Sequence, residues 1–171
     1  MKAFVKFGSE PYEAELREVP IPEPGDGEML LKISGAGICG SDLHAYHASP
    51  GYSWVRPPVI LGHEFSGTVV SAGPGADQYR SGDRVVVIGI QGCGRCRICR
   101  DGRTQLCEGR RVIGLDMNGG MAEWAVVNQN YLIAIPDGLD LAAAALIEPL
   151  SVAVHALSKV DIRPEQTVVI S

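Results

Sequence analysis

Four cysteines, Cys93, Cys96, Cys99 and Cys107, stand inside the run from Gly92 to Cys107. Thiolates at such short spacing, in a polar loop rich in arginine and glycine, can close a tetrahedral four-sulfur shell around Zn2+. Disulfide pairing or a redox Cys-x-x-Cys is the competing chemistry. Three features weigh against it. The cysteine total is five, an odd number. Cys93, Cys96 and Cys99 recur every three residues, which suits ligands folding around one ion. The short apolar run after Met1-Lys2 is broken by Lys6, so no secretory leader is read at the start. The run therefore predicts a structural zinc lobe over residues 91–111 and a reducing, cytoplasmic setting.

The fifth cysteine opens a second constellation. Cys39 lies in Gly37-Ile38-Cys39-Gly40-Ser41-Asp42-Leu43-His44, and His63-Glu64 follows in Gly62-His63-Glu64-Phe65-Ser66-Gly67. Alone, a cysteine is most often a small buried hydrophobe and a histidine a satisfied polar residue. Together, with glycines beside each candidate and a carboxylate at Glu148 from a third segment, they form a donor set suited to a second Zn2+. Two decoys are excluded. Gly35-x-Gly37-x-x-Gly40 matches a dinucleotide fingerprint, but the acidic residue expected about 20 positions on is missing and Pro57-Pro58 interrupts the region. His63-Glu64 is not a metalloprotease His-Glu-x-x-His helix, since position 67 is glycine.

These residues need a scaffold. With 171 residues and 46% hydrophobic content the chain can bury one core, and 21 glycines and 11 prolines scattered along it point to short strands joined by turns. Strands are expected at 2–7, 12–19, 29–34, 68–72, 83–89, 123–128 and 132–135, where β-branched or alternating runs are bounded by Gly, Pro, Asp or Asn. Pro20 to Gly27 and Pro50 to Pro58 read as irregular connectors, and the remainder as loops. Near the end helix replaces strand: Asp140 is placed to cap an alanine-rich turn, and Pro149 suits the first position of a second helix, with Glu148 extended at its mouth. Thr167 to Ser171 reads as a further apolar strand. The fold class is mainly β with a few helices. A net charge of −5 argues against nucleic acid as partner despite the arginines from Arg95 to Arg111. No apolar run reaches the ~18 residues of a membrane span.

Six motifs together resemble the zinc-dependent medium-chain dehydrogenase/reductase family, in particular its GroES-like catalytic domain. They are the Cys39 and His63 segments, the four-cysteine run, Gly82-Asp83-Arg84-Val85, Gly119-Gly120-Met121-Ala122-Glu123-Trp124, and Glu148-Pro149-Leu150-Ser151. The resemblance implies a partly open β-barrel with a zinc lobe, a GroES-like domain over 1–160, and a strand within 161–171 that leads into an absent Rossmann domain. It implies two zinc ions, one structural on the four cysteines and one catalytic on Cys39, His63, Glu64 and Glu148. The acidic residue at 148 points to the polyol, butanediol and threonine branch, and it can bind the metal directly or through water. Ser41 is expected to accept the substrate proton and His44 to pass it to solvent.

The implied reaction is oxidation of a secondary alcohol or polyol by hydride transfer to NAD or NADP, with a small-molecule substrate and a homo-oligomeric full-length enzyme. Tyr46, Trp54 and Phe65 are expected to wall the substrate pocket. Because no pyrophosphate loop is read here, the chain alone is expected to bind zinc without turnover. A stand-alone zinc-binding interaction module is the alternative, and it would leave Cys39, His63, Glu64, Ser41 and His44 without a task.

Overall fold

The computed structural model describes residues 1–169. Three sheets carry the architecture. The central one runs in the order β10 (Leu132–Ala134), β6 (Arg84–Val87), β5 (Phe65–Ala72), β3 (Glu28–Ala36), β9 (Trp124–Asn128). A second sheet orders β2 (Ala14–Glu18), β1 (Lys2–Lys6), β4 (Val59–Ile60), and a two-stranded ladder pairs β7 (Ile90–Gln91) with β8 (Arg111–Val112). All strand pairs are antiparallel. A bridge between Ala3 and Ala122 links the second sheet to the approach of β9. The expected mainly β, partly open barrel with few helices is what forms.

Alternation explains the central sheet. Met29 and Leu31 on β3 point to one face and are fully buried with Phe65, Val69, Val85, Val87 and Val127. Each such side chain contributes roughly 1.5–3 kcal/mol by leaving water. Register shifts between Leu30 and Leu31 and between Ile33 and Gly35 bend β3 as it leaves the core. That bend delivers the chain to Cys39.

Several short elements depart from the expected loops, among them β4, the β7–β8 ladder, and α1 (Gly40–Tyr46). Helix α1 lacks a long apolar period and is held by its first turn: the Asp42 carboxylate accepts the Cys39 N–H at 2.9 Å. The strand after it, β4, pairs antiparallel with β1 in another sheet, so no parallel β-α-β unit surrounds the glycine fingerprint.

The expectation at Glu148 is corrected. Asp140 does cap its turn, accepting the Ala143 N–H at 2.8 Å. The 3-10 turn Ala143–Leu146 then runs without a break into α3 (Ile147–Leu157), with helical backbone already set at Leu146 and Ile147. Pro149 is thus the third residue of α3, still within the first turn where its missing N–H costs nothing, and Glu148 is helical instead of extended. Thr167 to Val169 carry no regular structure, and Ile170 and Ser171, the rest of the expected last strand, lie outside the described residues. Among the described residues no helix is long and apolar enough to cross a membrane.

One buried side chain has no counterpart in the sequence reading: Lys6 on β1 is 2% exposed. Desolvation pulls its ammonium below the usual 10.5, with the Glu13 and Glu10 charges opposing. As pH rises toward that value, the unfolded chain keeps the Lys6 proton after the folded chain has released it, so stability rises with pH. Urea unfolding at about pH 7 and about pH 10 should show this rise in the natural chain and a smaller one in Lys6→Met. Equal pH responses would contradict it.

Candidate metal centres

The Cys39, His63 and Glu64 ligand atoms all lie within 4.8 Å of one another. Cys39 comes from the end of β3 at the mouth of α1, whereas His63 and Glu64 come from the link between β4 and β5. Gly62 makes that link possible with a φ of +93°, and the Gly37 N–H holds its far side by donating to the Glu64 carbonyl at 2.7 Å. A Cβ at Gly37 would collide with the Glu64 carboxylate. The glycine is the room in which that carboxylate sits.

Asp42 is the residue of this candidate site that the sequence reading missed. It is 3% exposed, and besides accepting the Cys39 N–H its carboxylate accepts the Gly62 N–H at 3.1 Å. It thereby ties both ligand segments together, and its Oδ1 stands 3.7 Å from His63 Nδ1. The available signal was its place three residues after Cys39, the position from which an acidic side chain reaches back to an N-cap.

His63 is buried, and its Nδ1 has no hydrogen-bond partner. Its Nε2 lies 3.4 Å from Ser41 Oγ. A buried imidazole with an orphaned nitrogen, beside a thiol and a carboxylate, fits a divalent metal better than it fits a plain core.

Glu148 is not one of the compact trio. It faces it across Gly89, where a Cβ would stand 3.2 Å from His63 Cβ and 3.6 Å from Glu148 Oε1. Desolvation raises the Glu148 carboxyl above its usual value, His63 opposes this, and Glu64 adds to it. A cavity of about 350 Å3 opens beside Glu148, with Thr104, Ile133 and Ser151 in its wall.

Ser41 and His44 are three apart on α1 and share a side of it. Ser41 reaches His63, whereas His44 is exposed and stacks on Tyr52 with ring centroids 5.0 Å apart. Tyr52 stacks in turn on Trp54 at 6.0 Å. The expected pocket wall is corrected at Phe65, which is fully buried in the barrel core because it faces inward from the first position of β5.

The four remaining cysteines form the second cluster, also within 4.8 Å and with no disulfide. Sulfur atoms of Cys93 and Cys99 are 4.0 Å apart, those of Cys96 and Cys107 3.8 Å. Backbone N–H groups of Cys96, Cys99 and Cys93 donate to the sulfurs of Cys93, Cys96 and Cys107, each at 3.4 Å. Donation from the Arg95 and Cys96 backbone holds the Cys93 thiol down at about 6, whereas desolvation pushes Cys99 up to about 12. One thiolate forms readily and discourages the next, so a full set of four needs a cation at its centre. Tyr131 fastens the lobe to the barrel, its hydroxyl donating to the Gly92 carbonyl at 2.6 Å.

Comparison with known proteins places this geometry. Residues 25–137 match the family described as alcohol dehydrogenase GroES-like domain. The sorbitol dehydrogenase of Bacillus subtilis is 37% identical over 172 residues, covering 99% of this chain and 48% of that protein. The structure of 2R,3R-butanediol dehydrogenase from Bacillus subtilis superposes with a TM-score of 0.84 at 32% identity, covering 95% of this chain and 48% of that one. That of acetophenone reductase from Geotrichum candidum in complex with NAD does so with a TM-score of 0.83 at 37% identity, covering 96% and 48%. The chain thus spans about half the length of the relatives it matches.

Proposed function

The chain belongs to the alcohol dehydrogenase GroES-like domain family, and on that premise we propose that it is the metal-binding catalytic half of a zinc-dependent dehydrogenase acting on a secondary alcohol or polyol. The observation that carries this is the convergence of Cys39, His63 and Glu64 within 4.8 Å, from segments 24 residues or more apart in the chain for the thiol and the imidazole (63 − 39 = 24). A lobe-only scaffold has no use for it. The GroES-like domain occupies 1–160, and 161–171 leads toward a Rossmann domain that supplies the NAD or NADP site.

Cys39, His63 and Glu64 hold the catalytic zinc, with Glu148 joining them directly or through a water, and Cys93, Cys96, Cys99 and Cys107 hold the structural one. Bound zinc supplies Lewis acidity to the substrate oxygen, and the nicotinamide of the other domain accepts the hydride. Asp42 fixes the relative position of Cys39 and His63 through its two backbone hydrogen bonds. Ser41 Oγ, next to His63, accepts the hydroxyl proton and His44, at the exposed end of the same helix side, returns it to water. The acidic residue at 148 supports the polyol, butanediol and threonine branch, in keeping with the names of the relatives.

Metal analysis tests the proposal. The natural chain should hold two zinc per chain, and Cys39→Ala and Cys93→Ala should each lose one, with no appreciable nicotinamide reduction by the 171-residue chain alone. One zinc, lost only in Cys93→Ala, would overturn the catalytic assignment.

A further inference from the structure

Lys6 is the largest of the fully buried side chains and takes no part in either metal centre. Its Nζ donates to the Glu10 carbonyl at 3.0 Å. Among the described residues no carboxylate stands within ion-pair distance of it. An ammonium taken out of water costs several kcal/mol unless a counter-charge and acceptors replace its hydration. One carbonyl does not replace three.

Lys6 also lines a cavity of about 290 Å3 between β1, the end of α1 and the Pro50 to Pro57 loop. Ser9, Ser49, Ser53 and Tyr52 are among the residues of its wall. Its wall thus carries one cationic residue and three serines, and it has room for a small organic anion. Glu10 and Glu13 act on Lys6 from the β1–β2 connection and offset part of its charge. Neither carboxylate is among the lining residues.

We propose that this cavity is an anion site, in which the Lys6 ammonium holds the oxyanion group, carboxylate or phosphate, of a small ligand. The ligand packs against Tyr52, whose ring also stacks on those of His44 and Trp54. A bound anion therefore presses on the residue assigned to the end of the proton path, so occupancy of the cavity and the proposed chemistry are coupled through one aromatic ring. The site itself does not depend on the metal chemistry proposed for Cys39 and His63.

The test is titration of the purified chain with inorganic phosphate and, separately, with glycerol 3-phosphate, followed calorimetrically and by phosphorus NMR. Saturable one-to-one binding is expected, weakened about tenfold or more in Lys6→Met, as loss of a charged hydrogen bond requires. Ser49→Leu, which fills the cavity and keeps the lysine, should weaken it comparably. Lys32→Met, outside the cavity, and Cys39→Ala, which empties the proposed catalytic metal position, should leave it intact, so failure of the metal reading and failure of this one are separable. In the natural chain, saturating phosphate should slow acetylation of Lys6 severalfold relative to exposed Lys2, a readout that needs no variant. Tighter binding of glycerol 3-phosphate would mark the oxyanion as a substituent of an organic ligand, and equal binding a free anion; both support the site. Absence of saturable binding, or acetylation of Lys6 indifferent to phosphate, overturns it.

Discussion

Gly119→Ala is expected to cost about 3 kcal/mol or more of stability and to empty the His63 metal position, because no side chain can be accommodated where that Cβ would stand. It would collide with the Gly62 carbonyl oxygen and lie 2.7 Å from both Gly114 Cα and the Leu61 carbonyl oxygen. Every one of those atoms is backbone, so no rotamer change relieves the contact. The two segments are also tied together. Gly119, Gly120 and Met121 donate their N–H groups to Ile60, Gly62 and Leu61 at 2.8, 2.9 and 2.9 Å. Gly62 and Gly114 add φ angles of +93° and +81°, a region that an L side chain resists. Whatever movement does occur passes to Gly62, and His63 is the next residue. Gly75→Ala is the control: its φ is +69°, but nothing lies within 4 Å of the added carbon, so only backbone strain of about 1 kcal/mol is expected. Urea unfolding of both variants, with metal content measured on the folded fraction, checks the difference. Equal losses would mean that the crossing of the three glycines is looser than its geometry states.

That crossing was visible in the sequence only as a motif, and the contrast between the two metal centres shows why. The four lobe cysteines come from one loop of fifteen residues (107 − 93 + 1), so their spacing alone reports that they can meet. Cys39 and His63 meet only because β3, α1, β4 and β5 fold as they do, and single-chain spacing carries no such information; the family resemblance supplied it. Strands β3 and β9 were legible because Met29 and Leu31, and Ala125 and Val127, alternate with more exposed neighbours. Helix α1 was not, since seven residues held by an Asp42 cap leave no apolar period to detect. At Glu148 a local rule about prolines lost to its surroundings: the turn capped by Asp140 had already set helical backbone before the proline was reached. Phe65 and Lys6 mark the limit from opposite sides. An aromatic beside a ligand pair proved to be core, and a lysine within an apolar strand proved to be buried; both depend on which face of a sheet another element covers.

The second large effect belongs to the lobe. Replacing Cys107 with alanine, or stripping metal with a chelator, is expected to unfold residues 91–111 while the barrel stays folded. The lobe has almost nothing else to hold it. Its regular structure is α2 (Arg97–Arg100), a 3-10 turn at Thr104–Leu106 and one side of the β7–β8 ladder. Its well-buried side chains are Gln91, Cys99 and Cys107. No aliphatic core competes with the entropy of ordering such a segment, roughly 1–2 kcal/mol per residue. A structural zinc contributes about 10–16 kcal/mol in isolated zinc-binding peptides, more than any other single interaction available to such a segment, and three intact ligands do not retain the ion as four do. The barrel has a core of its own, among it Met29, Leu31 and Val85, and the lobe is joined to it through Tyr131 and the two-residue ladder. Hydrogen exchange is the decisive measurement. Amides of Arg100, Asp101, Gly102 and Arg103, which donate within the lobe, should lose protection in Cys107→Ala and in the chelated chain. Amides of β3 and β5 should keep theirs. Persistence of protection at Arg100 to Arg103 after loss of the metal would mean that the arginine-rich loop holds its own shape, and the cysteines would then have to be explained by something other than a structural ion.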